Sequence, residues 1–269
     1  MNEAVNAPEL SLPQGNPGDI LNWPMLKIIY KTDPNRIAEL LPPGIEPGAD
    51  PHVNLTIYNF PVPDVPEYGI VTTVNADYDG MQGEYTLGYG IDQESAIFGS
   101  QEINGQPKYP CETHYYRMMN QVKARCTHQG YTFVEFYGES TGELDPHPEE
   151  EWVQNEWWVK VSRAVSVGGP ATGYDFPPHV VHVRSVYGTA HREKVNGELV
   201  LRDSPWDPLA SKLPMDEQVS AHLWWPTFLD RSITLAGPLD PDGFLPFADT
   251  ISGSRWPGEM GGPKGMKTK

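Results

Sequence analysis

The sequence has little cysteine, little positive charge and no long hydrophobic run. Cys111 and Cys126 are the two cysteines among 269 residues, too few for a disulfide framework, so we expect free thiols. Nineteen basic residues against thirty-six acidic ones give a net charge of −17, which repels nucleic acid and anionic membranes. No apolar run approaches the roughly eighteen residues that a membrane helix needs. We therefore expect no nucleic-acid or membrane partner and, since no charged-then-apolar leader follows Met1, a cytoplasmic protein.

Motifs for metals, nucleotides and serine hydrolysis are missing as well. His179 and His182 are three residues apart, and on a strand such residues point to opposite faces, so they make no ligand pair. Cys111 and His114 lie near each other in the sequence, but no second cluster has a similar spacing. There is no Gly-x-Ser-x-Gly elbow and no Gly-rich phosphate loop. We expect neither a metal nor a cofactor.

The residues that are abundant suit short strands and turns. The chain contains 28 prolines and 26 glycines, with 13 tyrosines and 8 tryptophans, a composition that favours strands over long helices. Strands are predicted over residues 26–31, 52–60, 68–78, 83–91, 122–127, 131–137, 157–164, 179–186 and 198–202. Helices are predicted over residues 35–41 behind an Asp33 cap, over residues 92–98 behind an Asp92 cap, and over residues 215–223. Strands should dominate the fold.

The composition along the chain predicts one domain with extended ends. A hydrophobic content of 38% over 269 residues is sufficient for a large core. Residues 1–24 are polar and rich in proline and glycine, which predicts an N-terminal arm. Residues 25–236 form the predicted domain. Residues 237–269 form a Pro/Gly-rich tail that we expect to wrap the surface or to pack on a neighbouring subunit.

One lysine is held in an unusually stiff segment. Lys108 stands between Pro107 and Pro110, with Tyr109 beside it, and proline restricts both its own φ and the residue before it. An ordinary lysine, with a pKa of about 10.4, is almost fully protonated at pH 7, so a nucleophilic lysine needs burial or a nearby cation. The aromatic neighbours favour burial as the cause. Two interpretations follow from the segment alone: a Schiff-base nucleophile, or a rigid surface loop.

An ordered set of short motifs extends from residue 26 to residue 235. In chain order they are Ile29-Tyr30-Lys31-Thr32-Asp33, Leu41-Pro42-Pro43, Gly83-Glu84-Tyr85, Ile91-Asp92, Gly99, Glu102-Ile103-Asn104-Gly105-Gln106-Pro107-Lys108, residues 197–201, Asp207-Pro208-Leu209 and Leu213-Pro214. In order and spacing this set resembles the acetoacetate decarboxylase superfamily, which uses a lysine activated in an apolar pocket or beside another cation. The resemblance places Lys108 at the Schiff-base position of that family.

The resemblance implies an α+β fold, in which a strongly curved, barrel-like antiparallel β-sheet with a few flanking helices encloses the lysine. It also implies a homo-oligomer. Decarboxylating members of the family follow the nucleophile with a second lysine, where this chain has Tyr109, and they carry an arginine and a glutamate where it has Trp23 and Thr56. Divergent members use the same lysine for aldol condensation and dehydration of pyruvate with an aldehyde. That chemistry fits the departures better than decarboxylation does.

Five further residues are candidates for the site. The resemblance places Glu67, Tyr68 and Glu102 at positions where the family has active-site acidic or phenolic groups, so they are candidate acids or bases. A solvated turn is the alternative for the first two, and a salt bridge that pins the lysine loop is the alternative for Glu102. Tyr109 and His114 are candidate substrate-binding residues, with packing in the core as the alternative.

The predicted function is that of a Schiff-base-forming carbon–carbon lyase of the aldolase-dehydratase type. Its substrates would be a small keto acid such as pyruvate and an aldehyde. Decarboxylation of acetoacetate or another β-keto acid through the same lysine iminium is the first alternative. The second is a non-enzymatic barrel that binds an apolar small molecule. Its candidate lining is Trp152, Trp157, Trp158, Trp224 and Trp225, although one of each adjacent pair should face the core.

Overall fold

The computed structural model describes residues 24–62, 65–144, 151–165, 173–248 and 256. Over these residues the chain forms one twelve-stranded sheet and four helices. The strands are β1 (Met25–Lys31), β2 (Glu46–Pro47), β3 (His52–Val62), β4 (Val65–Tyr78), β5 (Met81–Ile91), β6 (Lys108–Pro110), β7 (Glu112–Met118), β8 (Gln121–His128), β9 (Tyr131–Leu144), β10 (Glu151–Arg163), β11 (Tyr174–Leu201) and β12 (Glu217–Pro238). The helices are α1 (Pro34–Ala38), α2 (Glu94–Asn104), α3 (Leu209–Lys212) and α4 (Pro241–Ala248).

The sheet closes on itself. Its strand order is β10-β5-β4-β3-β1-β12-β11-β9-β8-β7, and β10 also pairs with β11. Within the described part of the chain, this extra pairing makes a ring of seven strands, from which β9, β8 and β7 extend. The pairs β10–β5 and β5–β6 are parallel and the others are antiparallel. The predicted curved, barrel-like sheet with a few helices is confirmed.

Side chains alternate in direction along the ring strands, so one face of each strand contributes to the hydrophobic core and the other lines an inner cavity. On β1, Leu26, Ile28 and Tyr30 are fully buried in the core, whereas Met25 and Lys27 line the cavity. Successive side chains of a strand point to opposite faces of the sheet. The inner face of the ring therefore carries the groups that can meet a ligand.

The helix predicted over residues 215–223 is wrong, because residues 217–223 form the first part of β12. Leu223 pairs with Leu26 of β1 on one side and with Glu193 of β11 on the other. Pairing on both sides satisfies the backbone of the segment and overrides its weak local preference for a helix. The predicted strands over residues 179–186 and 198–202 are likewise parts of the single strand β11.

The two predicted caps have different outcomes. Asp33 caps α1 as predicted, since its Oδ1 accepts a hydrogen bond of 2.8 Å from the amide of Asn35. Asp92 does not cap α2: the capping position belongs to Gln93, which makes no side-chain cap hydrogen bond. Asp92 Oδ1 instead accepts the Tyr68 amide proton at 2.9 Å, which ties the start of α2 to β4.

The hairpin between β8 and β9 and the chain ends complete the fold. β8 and β9 are joined through Gln129 and Gly130, which both have positive φ, 50° and 83°, as a type I′ turn requires. The predicted tail begins with the end of β12 and with α4, whose Phe244 is fully buried in the main core. The predicted arm, apart from residue 24, lies outside the described residues. Among the described residues, no helix has the length and apolar character needed to cross a bilayer.

Candidate active site

A cavity of about 640 Å³ occupies the inside of the ring. Five of its lining residues form a row across the sheet, in which each residue pairs with the next one on the neighbouring strand. The row runs from Lys27 on β1 through Thr56, Val71 and Tyr89 to Lys108 on β6. Lys108 therefore reaches the cavity from one end of this row.

The end of α2 sets the position of the lysine. Gly105 ends the helix in the left-handed region, with φ 66°, and its amide donates to the carbonyl of Gln101 at 2.9 Å. A Cβ at this position would lie 2.4 Å from Lys160 Cα, so only glycine fits both the conformation and the space. The Lys108 amide then donates to Gln106 O at 2.8 Å around Pro107, and the Gln101 side-chain amide donates to the Lys108 carbonyl.

Strand alternation sends Lys108 and Tyr109 in opposite directions. Lys108 pairs with Tyr89 across β5 and β6 and lines the cavity. Tyr109 is 2% exposed and belongs to the core, where its ring centroid lies 4.8 Å from that of His128 and its hydroxyl hydrogen-bonds Asp207. The predicted contact of Tyr109 with substrate finds no support in this location.

Lys108 forms a buried ion pair. Its Nζ lies 3.6 Å from Glu67 Oε2, and the two side chains are 11% and 8% exposed. The Tyr58 hydroxyl donates to Glu67 Oε1 at 2.8 Å. Burial lowers the pKa of Lys108, Glu67 opposes this effect, and the positive charge of Arg231 adds to it. Glu67, a candidate acid or base from the sequence, thus lies beside the lysine and not in a solvated turn.

Arg231 is a cation of the cavity that the sequence did not reveal. It lies on β12 at the exposed side of the cavity, with its guanidinium 5.8 Å from the centre of the Trp158 ring. The phenolic group of Tyr89 hydrogen-bonds it, and Glu156 attracts it. No local motif marks this position, because its place in the cavity depends on the long-range pairing of β12 with β11.

A second carboxylate network lies next to the lysine. Glu156 Oε1 accepts hydrogen bonds from the hydroxyls of Thr86, at 2.5 Å, and Tyr89, at 2.7 Å, and from Trp158 Nε1, at 2.5 Å. Burial raises the pKa of Tyr89 well above its usual range, so its hydroxyl stays protonated. A signal for Glu156 exists in the sequence, since it is a carboxylate directly before the apolar run from Trp157.

A third carboxylate, Glu84, also lines the cavity. The Thr73 hydroxyl donates to it. Burial raises the pKa of Glu84, and the positive charge of Lys27 partly opposes the increase. The cavity thus carries three carboxylates and three cations.

The other predicted site residues lie away from the main cavity. Glu102 is exposed on α2 and is not among the lining residues. Tyr68 and His114 line a separate pocket of about 190 Å³, because Tyr68 follows Glu67 on the strand and faces the other side. There His114 Nε2 lies 2.5 Å from Glu112 Oε1. The structure brings Lys108 and Glu67 together and leaves these three residues apart from them.

The thiols and the possible metal ligands add nothing to this site. Cys111 and Cys126 are both free and buried. In the part of the chain that the structure describes, no group of three or more histidine, cysteine or acidic side chains is placed to hold a metal ion. The ionisable groups of the cavity lining are the lysines and Arg231, the three carboxylates and the phenols.

Comparison with known sequences identifies related proteins. The family model described as acetoacetate decarboxylase matches residues 5–238. The acetoacetate decarboxylases of Paraburkholderia phytofirmans and Paraburkholderia xenovorans are each 33% identical over 102 residues. These matches cover 36% of the chain and 39% of each relative, so the chain aligns with well under half the length of the curated relatives.

Solved structures share the fold at low sequence identity. The acetoacetate decarboxylase of Legionella pneumophila superposes with a TM-score of 0.66 at 16% identity, covering 81% of this chain and 85% of that one. An acetoacetate decarboxylase-like enzyme of Sphingomonas wittichii RW1 gives 0.63 at 15%, covering 80% and 91%. The enduracididine biosynthesis enzyme MppR complexed with pyruvate gives 0.60 at 16%, also covering 80% and 91%. At such identities the likeness shows the fold.

Proposed function

Because the chain belongs to the acetoacetate decarboxylase family, we propose that it is a lyase that forms a Schiff base between Lys108 and a small keto acid. The observation that carries this proposal is the location of Lys108: its side chain is 11% exposed, lines a cavity of about 640 Å³ and stands beside Glu67. A surface lysine has none of these properties. The rigid-loop interpretation of the segment around Pro107 explains the stiffness but leaves the buried amine without a role.

The first step requires a neutral amine. Burial lowers the pKa of Lys108, Glu67 counteracts it and Arg231 reinforces it, which raises the fraction of free amine at neutral pH. The amine adds to the ketone carbon, and the resulting carbinolamine loses water to give an iminium. Glu67, held by the Tyr58 hydroxyl at 2.8 Å, is placed to receive and return protons during these steps.

The iminium then withdraws electrons from the adjacent carbon. Loss of a proton from that carbon to Glu67 gives an enamine, whose carbon attacks the carbonyl carbon of an aldehyde. Tyr89, protonated and hydrogen-bonded to Glu156 at 2.7 Å, is the proposed donor to the aldehyde oxygen. Water is lost, and hydrolysis of the iminium releases an unsaturated keto acid and the free lysine. Structures of MppR with pyruvate and with the condensation product of pyruvate and imidazole 4-carboxaldehyde make the same chemistry a reasonable choice for this chain.

Decarboxylation through the same iminium is the second candidate, and Arg231 is the observation that favours it. Decarboxylating relatives have a second lysine after the nucleophile, and Tyr109 cannot replace it. Arg231 supplies a positive charge that lowers the pKa of Lys108 from another strand. It also offers a partner for a substrate carboxylate. The non-enzymatic carrier remains the third alternative, and it predicts ligand binding that survives Lys108→Ala.

Product formation separates these functions. The purified protein is incubated with pyruvate and an aldehyde, and the absorbance of the conjugated keto acid is followed. A parallel incubation with acetoacetate follows the release of carbon dioxide. We expect the conjugated product, its loss in Lys108→Arg, and little carbon dioxide. Carbon dioxide release without condensation selects the decarboxylase, and neither product with any keto acid overturns the lyase.

A further inference from the structure

One cation of the cavity lacks an ion-pair partner among the residues that the structure describes. Lys27 lines the cavity from β1 and is half-buried, and to these residues its Nζ makes neither an ion pair nor a hydrogen bond. The other two cations differ from it. Lys108 pairs with Glu67 at 3.6 Å, and the phenolic group of Tyr89 hydrogen-bonds Arg231. Lys27 is therefore the cation that is available to a ligand.

An aromatic ring supports the ammonium group of Lys27. Its Nζ lies 5.2 Å from the centre of the Trp224 ring, which is within the range of a cation–π contact. Trp224 itself is 3% exposed, so the ring serves to hold the lysine and offers no surface of its own. A side chain that is held before binding loses little conformational entropy when a ligand arrives.

Glu84 is the carboxyl group on which Lys27 acts, but it does not neutralise the lysine. Burial raises the pKa of Glu84, and the positive charge of Lys27 opposes only part of this rise. The Thr73 hydroxyl and the Gln154 side chain already hydrogen-bond this carboxyl group. A carboxyl group with a raised pKa keeps its proton more readily, so it leaves the charge of Lys27 partly unbalanced.

The position of Lys27 separates it from the reacting amine. Lys27 and Lys108 occupy the two ends of the row across the sheet, four strand spacings or about 19 Å apart along the curved surface. The carboxylate of pyruvate is bonded to the carbon that Lys108 attacks, so it stays close to that amine, on which Arg231 also acts. An anion at Lys27 therefore belongs to the second substrate.

The single ammonium group of Lys27 suits a single negative charge. When a ligand fills the cavity, the ammonium group loses water, and an anion replaces the lost hydration with charge-assisted hydrogen bonds. A phosphate group carries about −1.5 to −2 charges at pH 7, and its excess charge would face Glu84 without compensation. The chemistry that fits Lys27 is thus a carboxylate.

We propose that the second substrate is an aldehyde that carries its own carboxylate, which Lys27 binds while the aldehyde carbon faces the enamine on Lys108. This inference rests on the proposed function and names the class of its second substrate. The enamine carbon forms a bond to the aldehyde carbon, and the aldehyde oxygen takes a proton. That oxygen then leaves as water when the former enamine carbon gives up a second proton. One keto acid and one aldehyde acid thus give one unsaturated keto diacid and one water, without an oxidant or a reductant.

The test compares two aldehyde acids with neutral aldehydes of the same shape, with pyruvate as the common donor. The short pair is 4-oxobutanoate and 4-methylpentanal, and the long pair is 6-oxohexanoate and 6-methylheptanal. In each pair an isopropyl group replaces the carboxylate. We expect kcat/KM for at least one acid to exceed that for its neutral counterpart by about tenfold or more, the contribution of one hydrogen bond between charged groups. Products are measured by chromatography.

Four variants examine the role of Lys27. Lys27→Met removes the charge at nearly constant length and should reduce the ratio of kcat/KM between acid and neutral aldehyde to about one, whereas Lys27→Arg should retain the preference. Glu84→Gln removes the nearby negative charge and should increase the ratio. Lys31→Met is the matched control, because Lys31 is an exposed lysine on the same strand outside the cavity lining. It should leave the ratio unchanged.

The outcomes distinguish the inference from the function beneath it. Pyruvate is first trapped on each protein with borohydride, which shows that Lys108 remains reactive. If the wild type forms this adduct but neither acid reacts faster than its neutral counterpart, the carboxylate-bearing substrate is overturned and the lyase stands. If no adduct forms with pyruvate or a related keto acid, both are overturned. If the preference for the acid is present and Lys27→Met keeps it, Lys27 is not the binding residue and the inference falls.

Discussion

The chemistry of Lys108 depends on two charged side chains that act in opposite directions. Glu67, 3.6 Å from the amine, favours the protonated form, and Arg231 disfavours it. The first comes from β4 and the second from β12, on different sides of the ring. A substitution on either side of the ring should therefore change the reactivity of the amine.

Substitution of these two residues should move the pH dependence of Schiff-base formation in opposite directions. Glu67→Gln removes the charge that raises the Lys108 pKa, so the rise of the rate should begin at lower pH. The plateau rate should fall, because glutamine cannot transfer the protons assigned to Glu67. Arg231→Met removes the charge that lowers it, so the rise should move to higher pH. The Glu67→Gln shift should be the larger of the two, because Glu67 affects the Lys108 pKa more than Arg231 does. The measurement is the initial rate of adduct formation with pyruvate and cyanoborohydride at a series of pH values.

Glu102→Gln is the control for this pair, because Glu102 is exposed on α2 outside the cavity lining. Its profile should coincide with that of the wild type. A shift of the Glu67→Gln and Arg231→Met profiles in the same direction would contradict the electrostatic account. A shift of the pH profile in Glu102→Gln would support the predicted role of this residue at the lysine loop.

A buried hydrogen-bonded pair next to the lysine strand should be essential for stability. His128 and Asp207 are 2% and 1% exposed at the side chain, and His128 Nδ1 lies 2.8 Å from Asp207 Oδ2. Asp207→Ala leaves the imidazole and the Tyr109 hydroxyl without this partner, so unfolding in urea should show a loss of about 2–5 kcal/mol from two unpaired buried groups. The exposed pair Lys31–Glu217 is the comparison, and Glu217→Ala should cost about 1 kcal/mol or less. Equal losses in the two variants would refute this difference.

Single residues differ in how far the sequence reveals them. Lys108 and Glu67 could be predicted because a stiff segment and a family position mark them. Because neighbouring side chains of a strand point to opposite faces, an inward Lys108 excludes Tyr109 from the cavity. This could be inferred from the sequence once β6 is known to be a strand. The place of Arg231 in the cavity could not be predicted, because it depends on the pairing of segments that are distant in the sequence.

At the level of elements, the junction between α2 and β6 determines where the lysine stands. Gly105→Ala should destabilise the protein, because the new Cβ meets Lys160 Cα at 2.4 Å and φ is 66°. Urea unfolding should show a loss of about 1–3 kcal/mol, and Schiff-base formation should slow with it. Gly99→Ala in the same helix is the control. Its Cβ meets nothing within 4 Å, so a gain of up to about 1 kcal/mol is expected. A stable, fully active Gly105→Ala would contradict this role.

Many strands could be predicted. Those predicted before residue 137 follow from local alternation and turn residues, such as the Gln129-Gly130 turn, whereas β2, β6 and β7 are missed. The segment over residues 215–223 lacks such signals, and its strand conformation comes from β1 and β11 on its two sides. The length of β11 follows in the same way from its pairing with β10, β12 and β9. Local patterns in the sequence do not predict long-range strand pairing.

At the level of the whole molecule, the ring leaves one side of β12 open. In the described residues, the part of β12 beyond Trp225 pairs with β11 alone. This part exposes Leu229 at 46% and Leu235 at 58%. Open strand edges and exposed apolar side chains are typical of surfaces that pair with another chain. They agree with the predicted homo-oligomer, which stays a prediction.

Light scattering on the purified protein should therefore give a mass that is a multiple of the 30.0 kDa chain. The double variant Leu229→Lys, Leu235→Lys should shift the mass toward the single chain. Met119→Lys, at a turn residue that is 87% exposed, adds the same charge elsewhere and should leave the mass unchanged. A wild-type mass of one chain would contradict the homo-oligomer, and an unchanged double variant would place its interface on another surface.

The central claim is the proposal that the amine of Lys108, which lines the cavity, forms a Schiff base with a keto acid. The direct measurement is reduction with borohydride in the presence of pyruvate, followed by digestion and mass spectrometry of the peptide that contains Lys108. The account predicts a stable adduct on Lys108, with no adduct in Lys108→Arg and none on the exposed Lys31. An unmodified Lys108 across pyruvate, acetoacetate and related keto acids would contradict it.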